Sequence, residues 1–353
     1  MGDEKAPRKI ALALQGGGSH GAFTWGVLDR ILEDETLEII GITGTSAGAM
    51  NAVVMADGLV SGGREEARLR LRQFWEEIGK MPGFAGFLGL LPGEFQAQLH
   101  LEQTLTYLAF DALSRNLSPY DLNPLNFNPL RDPLIKLVDF DRLRAQEDLE
   151  LMVCATNVLT SRRRVFGSKE ISVDAVLASA CLPQMFPAIV VDGEPYWDGG
   201  FSGNPAMAPL LRRLPKCDFI IVRIDPMIRV IQPRTPHEIQ DRLTELSFNT
   251  TFWMEVGGLA IILKLMEAGL LDSERFGRIL FHIMEANPEL EKIAASTKRN
   301  NSEPFLRYLF GLGRKTAEEW FARHGEAIGA RTTFDFKKLL SDEHWGDVST
   351  FPS

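Results

Sequence analysis

Cysteine is scarce in this sequence. The 353 residues contain only Cys154, Cys181 and Cys217, an odd number without the paired spacing of a zinc site. This pattern argues against a disulfide framework and a structural metal. It is typical of reduced, buried thiols in a cytosolic protein.

Positive charge and long apolar runs are also in short supply. Lys and Arg number 38 against 47 Asp and Glu, a formal net charge of −9. This balance argues against electrostatic binding to nucleic acid or to anionic lipid. The longest apolar run, 256–271, contains Lys264 and Glu267 and is too short to span a bilayer. The charged residues 1–6 show no signal-peptide pattern, so we expect a soluble, cytoplasmic protein.

Glycine is plentiful, and two glycine clusters follow predicted strands. The apolar residues 9–14 are typical of a buried strand, and the glycine-rich stretch 15–21 comes directly after them. Residues 22–33 have helical periodicity, and residues 37–42 predict a second strand. Strand, glycine loop, helix, strand, glycine turn and helix in this order predict a parallel α/β fold.

The second glycine cluster, Gly44-Thr45-Ser46-Ala47-Gly48, has the form G-x-S-x-G between the second strand and a predicted helix. In that setting the motif forms the strained turn that exposes a nucleophilic serine. Gly44 and Gly48 suit a turn with no room for side chains beside the serine. Ser46 is therefore the candidate nucleophile, at a helix N-terminus whose dipole stabilises an oxyanion. The alternative is an ordinary turn serine.

Gly16, Gly17 and Gly18 are candidates for an oxyanion hole, because their N–H groups follow a buried strand and open a helix. Together with Gly21 they also match the dinucleotide fingerprint G-x-G-x-x-G. That fingerprint requires an acidic residue at the end of the second strand, whereas Glu38 lies at its beginning. Nucleotide binding is therefore the less favoured alternative.

The sequence offers six histidines as general bases: His20, His100, His237, His282, His324 and His344. A Ser-His-Asp hydrolase places its histidine on a late loop, but His282 and His324 lie within helical patterns without turn residues around them. A base at His20, inside the glycine loop, would crowd the oxyanion hole. Solvated or core histidines explain most of these positions more simply.

An aspartate is the other candidate base. Asp198-Gly199-Gly200 follows a short predicted strand, and its two glycines release the backbone where a carboxylate would turn towards Ser46. The alternative is an Asp-Gly turn without a catalytic role. A carboxylate in a dry, apolar site has a raised pKa, which makes it a better base near neutral pH.

The rest of the chain divides into an irregular insertion, further strands and a helical end. Residues 80–133 are rich in proline, glycine and apolar side chains, with a helix predicted near 94–110. Further strands are predicted at 149–156, 163–166, 189–191, 196–197 and 217–225. Further helices are predicted at 64–79, 172–179, 206–214, 237–255, 259–268, 273–285 and 314–325. We predict an α/β domain over 9–225 and a helical C-terminal extension over 230–353.

Four motifs together resemble those of the patatin-like phospholipases in kind, order and spacing. They are Gly16-Gly17-Gly18-x-x-Gly21, Gly44-Thr45-Ser46-Ala47-Gly48, Ala178-Ser179-x-x-x-Pro183 and Asp198-Gly199-Gly200. The short gap between the glycine loop and Ser46 also looks like that family, because the serine comes later in most α/β-hydrolases. The resemblance covers about residues 9–225.

The resemblance implies a three-layer α/β/α fold with a mainly parallel sheet, and a Ser-Asp dyad without histidine. It makes Ser46 the nucleophile, Asp198 the base, and Gly17 and Gly18 the oxyanion donors. Where the family usually has Arg or Lys before the last glycine of the loop, this chain has His20. The region after residue 230 resembles an extension found in some bacterial members.

We therefore expect a serine acyl hydrolase that needs no cofactor or metal and acts on lipid esters or other hydrophobic acyl esters. Transient contact with a membrane surface is expected, and nucleic acid is not an expected partner. The apolar stretches 84–91 and 122–130 either form the acyl-chain entrance or pack on the core. A nucleotide-binding or non-catalytic α/β module, and a Ser-His-Asp esterase or acyltransferase, are the alternatives.

Overall fold

The part of the chain that can be described is built around a sheet of eight strands. The structure, a computed structural model, describes residues 6–81, 118–214, 216–226, 232–271, 279–285, 289–290, 293 and 295–336. The strands are β1 (Arg8–Leu14), β2 (Leu37–Thr45), β3 (Glu150–Asn157), β4 (Arg163–Gly167), β5 (Ile189–Val191), β6 (Glu194–Asp198), β7 (Asp218–Arg223) and β8 (Leu280–Glu285).

The strand order is β5-β6-β3-β2-β1-β7-β8, with β4 paired to β3. Neighbouring strands run parallel from β3 through β2, β1 and β7 to β8. The pairs that include β4, β5 or β6 are antiparallel. The predicted mainly parallel sheet is therefore confirmed.

Helices cover both faces of this sheet. They are α1 (Gly21–Leu32), α2 (Ala47–Lys80), α3 (Pro119–Leu122), α4 (Arg131–Leu137), α5 (Phe140–Ala145), α6 (Val173–Ser179), α7 (Ala208–Arg213), α8 (Pro236–Glu267) and α9 (Glu303–His324). Short 3₁₀ helices lie at Gly18–His20, Ser168–Glu170, Gly199–Phe201, Ala295–Arg299 and Gly325–Ala327.

Strand β1 shows how the layers are divided. Successive side chains of a strand point to opposite faces, so Ile10, Leu12 and Leu14 join the core that includes residues of α1, α2 and α9. Ala11 and Ala13 join a second core, which includes residues of α7 and α8. Two cores separated by one sheet give the α/β/α arrangement that the resemblance implies.

Turn chemistry sets the hairpin of β5 and β6, which the sequence predicts. Asp192 and Gly193 have φ values of 49° and 82°, the left-handed pair that a two-residue hairpin of type I′ requires. The predicted hairpin is confirmed, and β6 ends at Asp198.

The local sequence pattern predicts the wrong structure for one element in the C-terminal part. The helix predicted over 273–285 is wrong for its last residues, because Leu280–Glu285 forms β8 and pairs in parallel with β7. Phe281 and Met284 are buried there, so packing beside β7 outweighs the helical pattern. The helix predicted directly after the Ser46 turn and the helix predicted at 64–79 both lie in α2, which has a kink at Gly63 (φ 76°). The helix predicted near 94–110 lies outside the described residues.

Apart from β8, the predicted helical C-terminal region is confirmed by α8 and α9. The division of the chain near residues 225–230, like the cytoplasmic location, stays a prediction. By length and composition alone, Glu238–Met266 within α8 could cross a membrane. Of its most apolar 18-residue stretch, 44% is buried inside the molecule. Phe252 and Val256 of this helix pack in the second core.

Candidate active site

Ser46 occupies a sharp turn between β2 and α2. Its backbone has φ 55° and ψ −123°, a left-handed conformation that is strained for a residue with a side chain. A Cβ on Gly44 would clash with the carbonyl of Gly48, and a Cβ on Gly48 would clash with that of Leu14. Both glycines are therefore needed for the backbone to turn this tightly, and the turn presents Ser46 at the carboxyl end of β2.

Strand β3 brings Asp198 to the same place. In the parallel pair of β2 and β3, Thr45 lies opposite Cys154. In the antiparallel pair of β3 and β6, the next residue, Ala155, lies opposite Asp198. The two candidate residues thus flank one strand, although 46 and 198 are far apart in the sequence.

Two glycines let the chain leave β6 at this point. A Cβ on Gly199 would clash with the carbonyl oxygen of Cys154, and a Cβ on Gly200 would clash with the ring of Phe248 on α8. Gly199 therefore lies directly against β3. The Asp198 backbone is also fixed, since its N–H donates to Cys181 O at 2.8 Å and its carbonyl accepts from the Thr156 hydroxyl at 2.8 Å.

The Asp198 carboxyl group is completely buried. Burial raises its pKa to about 7, and the negative charge of Asp225 adds to this effect. The Gly200 N–H, which donates to Oδ1 at 2.8 Å, the Ser46 hydroxyl and Lys298 lower the pKa again. No described residue donates an aligned hydrogen bond to Oδ2. A carboxyl group with a pKa near 7 can gain or lose a proton near neutral pH.

The glycine loop lies on the other side of the serine. A Cβ on Gly16 would stand 2.7 Å from Cβ of Ser46. The Gly16 N–H donates to Asn204 Oδ1 at 2.7 Å, so it is already used inside the protein. Among the described residues, none accepts a hydrogen bond from the N–H of Gly17 or Gly18. Of the three glycines expected to form an oxyanion hole, Gly16 has its N–H occupied, and the donor role of Gly17 and Gly18 stays a prediction.

A family model for patatin-like phospholipase matches residues 12–211, which is more than half of the chain. The chain belongs to the patatin-like phospholipase family. Comparison with curated proteins gives no match.

The solved structures that match the chain resemble it only distantly. VipD from Legionella pneumophila is 15% identical, with a TM-score of 0.35, over 86% of this chain and 67% of VipD. ExoU from Pseudomonas aeruginosa, solved in complex with SpcU, is 17% identical, with a TM-score of 0.30. That match covers 89% of this chain and 53% of ExoU, so the chain spans about half of ExoU's length.

Two polar residues of this patatin-like site have structural roles that sequence reasoning did not assign. The Ser179 hydroxyl accepts a hydrogen bond of 2.9 Å from the Ser46 N–H. The Asn204 side chain hydrogen-bonds both backbone groups of Gly16, because its oxygen accepts from the N–H and its nitrogen donates to the carbonyl at 3.4 Å. Ser179 was part of the motif that carries the resemblance, whereas Asn204 gave no signal beyond its place before a helix.

Histidines in the described part of this patatin-like chain have other partners. His20 Nε2 lies 2.8 Å from Thr297 Oγ1. His282 lies 2.9 Å from Asp218 and 2.9 Å from Thr333, three strands away from β2 in the sheet. His324 packs against Trp320. His100 and His344 lie outside the described residues, as does the side chain of His237.

The thiols are free and buried. Burial raises the pKa values of Cys154, Cys181 and Cys217 to about 12, so none is a thiolate near neutral pH. In the described ranges, no group of three or more His, Cys, Asp or Glu side chains could hold a metal ion.

Proposed function

We propose that this chain is a serine acyl hydrolase whose substrates are lipid esters, including lysophospholipids. Membership in the patatin-like phospholipase family supports lipid hydrolysis. The assignment of Ser46 as nucleophile and Asp198 as base rests on the buried carboxyl group of Asp198. Burial raises its pKa to about 7, and the Ser46 hydroxyl lowers this pKa. Such a group can act as a general base near neutral pH.

In the proposed first step, Ser46 Oγ attacks the ester carbonyl carbon and Asp198 takes the hydroxyl proton. The oxyanion that forms accepts hydrogen bonds from the N–H groups of Gly17 and Gly18. When the tetrahedral intermediate collapses, Asp198 returns the proton to the leaving alcohol and an acyl-enzyme remains. Water then attacks the acyl carbon and gives its proton to Asp198, and Asp198 passes that proton to Ser46 Oγ as the acid departs.

Two contacts count against the nucleotide-binding alternative. The N–H of Gly16, the first glycine of the fingerprint, donates to Asn204 Oδ1 and is not available to a phosphate. A Cβ on Gly18 would clash with the carbonyl oxygen of Lys298, so the backbone of that segment already packs closely against the loop. Because these contacts close the loop on one side, they favour binding of a single oxyanion over binding of a dinucleotide.

Transient contact with a lipid surface is part of the proposal. Five of the exposed apolar side chains of α8 recur at helical spacing along one stripe: Ile239, Leu243, Leu246, Met254 and Ile261. The opposite face of α8 reaches the site, because Phe248 packs against Gly200 and the Thr251 hydroxyl donates to Gly200 O. Continuity with a site for lipid esters favours a lipid surface as the partner of this stripe.

The test is activity on phospholipid, lysophospholipid, monoacylglycerol, short-chain ester and acyl-thioester substrates, with wild type beside Ser46→Ala. Ser61→Ala is the matched control, because Ser61 is an exposed serine on the same helix. We expect Ser46→Ala to lose hydrolysis and fluorophosphonate labelling with little change in Tm, and Ser61→Ala to keep both. Full activity in Ser46→Ala would refute the proposed function.

A further inference from the structure

A short segment from the C-terminal region closes over the back of the glycine loop. This segment is the 3₁₀ helix Ala295–Arg299. The Lys298 carbonyl lies where a Cβ on Gly18 would stand, and Thr297 hydrogen-bonds His20. Two neighbouring residues thus bind the loop at two points. The Lys298 side chain is only 17% exposed, so its charge is held inside the molecule.

The Lys298 ammonium group is paired with a buried carboxylate beside the loop. Its Nζ lies 2.5 Å from Oδ1 of Asp225, which is fully buried, and 3.7 Å from Glu245. Asp225 Oδ1 is in turn 3.6 Å from the point where a Cβ on Gly17 would stand. The Asp225 N–H donates to Gln15 Oε1 at 2.9 Å, which fixes this residue just beyond β7.

The pair lies behind the glycine loop that contacts the serine turn, since a Cβ on Gly16 would stand 2.7 Å from Ser46 Cβ and one on Gly17 would stand 3.6 Å from Asp225 Oδ1. The two charges have opposite effects on Asp198. Asp225 raises the pKa of Asp198 and Lys298 lowers it. Charges interact strongly here because the surroundings are buried and weakly screened. Ser46, Cys154 and Cys181 also interact with Asp198, and Glu245 interacts with Lys298. Arg242 is paired with Glu245. The two thiols stay uncharged near neutral pH because burial raises their pKa values to about 12.

We propose that Lys298 is a positioning residue that neutralises Asp225 behind the glycine loop and so keeps Asp198 available as a base near neutral pH. This inference rests on the proposed function. It gives the C-terminal region a role in the chemistry, because the charge comes from a residue far beyond the stretch that the family model matches.

The pair predicts two opposed shifts in the pH dependence of fluorophosphonate labelling at Ser46. Lys298→Met removes the positive charge beside Asp225, so the acid limb should move to higher pH by about one unit. Asp225→Asn leaves the positive charge of Lys298, so the limb should move to lower pH by about as much. The double variant should return close to wild type, and Lys298→Arg should keep the wild-type midpoint.

Arg299→Met is the matched control, because Arg299 is the adjacent cation and lies 3.8 Å from Asp241 instead. It should leave the midpoint unchanged. If Asp225→Asn does not fold, the contrast between Lys298→Met and Lys298→Arg decides the question. Equal midpoints in all variants, or the same shift in Arg299→Met as in Lys298→Met, would overturn the inference alone. A wild-type protein that is not labelled at Ser46 would overturn the proposed function as well.

Discussion

At the scale of single residues, the site buries the carboxyl group of Asp198 in surroundings that disfavour its ionised form. The folded-state pKa of Asp198, about 7, lies above the ordinary 3.8. Between these two values the folded protein binds the proton more tightly than the unfolded chain does. Ionisation of Asp198 as the pH rises therefore lowers the free energy of unfolding. A cost of this kind is typical of a functional site rather than of a structural one.

Gly17 provides the first prediction at this scale. In Gly17→Ala the new methyl group would stand 2.7 Å from Ile224 Cδ1 and 3.6 Å from Asp225 Oδ1, so the Ile224 side chain or the loop must shift. We expect kcat on a soluble short-chain ester to fall by about a hundredfold, the scale of one lost oxyanion donor.

Gly167→Ala is the control for this substitution. A Cβ on Gly167 would meet nothing closer than Glu170, at 4.0 Å, so its kcat should match wild type. An unaltered kcat in Gly17→Ala would place the oxyanion hole elsewhere.

At the scale of elements, the C-terminal helix α9 is part of the core. It crosses α1 at two glycines, since a Cβ on Gly26 would clash with Phe310 O and one on Gly313 would clash with Phe23 O. Beside this crossing, Asp29 and Glu33 of α1 are paired with Arg68 of α2 and Arg314 of α9. Close backbone contact and shared ion pairs fix the C-terminal helix to the first helix of the fold.

This crossing predicts opposite effects for two similar substitutions in α9. Gly313→Ala puts a methyl group into Phe23 O and should lower the free energy of unfolding by about 1–3 kcal/mol, the usual cost of overpacking. A Cβ on Gly311 would meet nothing within 4 Å, so Gly311→Ala should raise stability by up to about 1 kcal/mol through helix propensity. Urea unfolding of both variants checks this, and equal effects would contradict the packing of α9 on α1.

The elements differ in how far the sequence could predict them. Strands β1 to β3, the β5–β6 hairpin and the turn at Ser46 follow from local patterns, because burial periodicity and glycine turns are encoded within a few residues. β8 does not, because its pattern is helical and only the position beside β7 makes it a strand. Asn204 and Lys298 could not be placed either, because their partners Gly16 and Asp225 are distant in the sequence and meet only in the folded chain.

At the scale of the whole molecule, the exposed stripe of α8 and the net charge of −9 determine which lipid surfaces the protein would bind. A net negative charge disfavours anionic membranes, so apolar contact has to supply the binding free energy. Vesicles of zwitterionic phospholipid should therefore bind at least as well as vesicles that contain anionic lipid, with little dependence on salt.

A double variant in the α8 stripe tests this contact. Leu243→Glu/Met254→Glu should reduce hydrolysis of vesicle-borne phospholipid by about tenfold, since two charges on the stripe oppose insertion by more than 1.4 kcal/mol. Hydrolysis of a soluble short-chain ester should not change. The control is Leu69→Glu, an exposed leucine on α2, which should affect neither substrate. Equal losses on both substrates would mean that the α8 variant disturbs the site rather than membrane contact.

The most direct test of the Ser46–Asp198 account is the rate of fluorophosphonate labelling of Ser46 as a function of pH, in wild type and in Asp198→Asn. Labelling requires the serine proton to leave, so the wild-type rate should fall as the pH drops through about 7, the pKa of Asp198. Asp198→Asn keeps the size of the side chain but cannot accept the proton. It should label about a hundredfold more slowly or worse, without that acid limb. A mutant that labels at the wild-type rate, with the same acid limb, would show that Asp198 is only a turn residue.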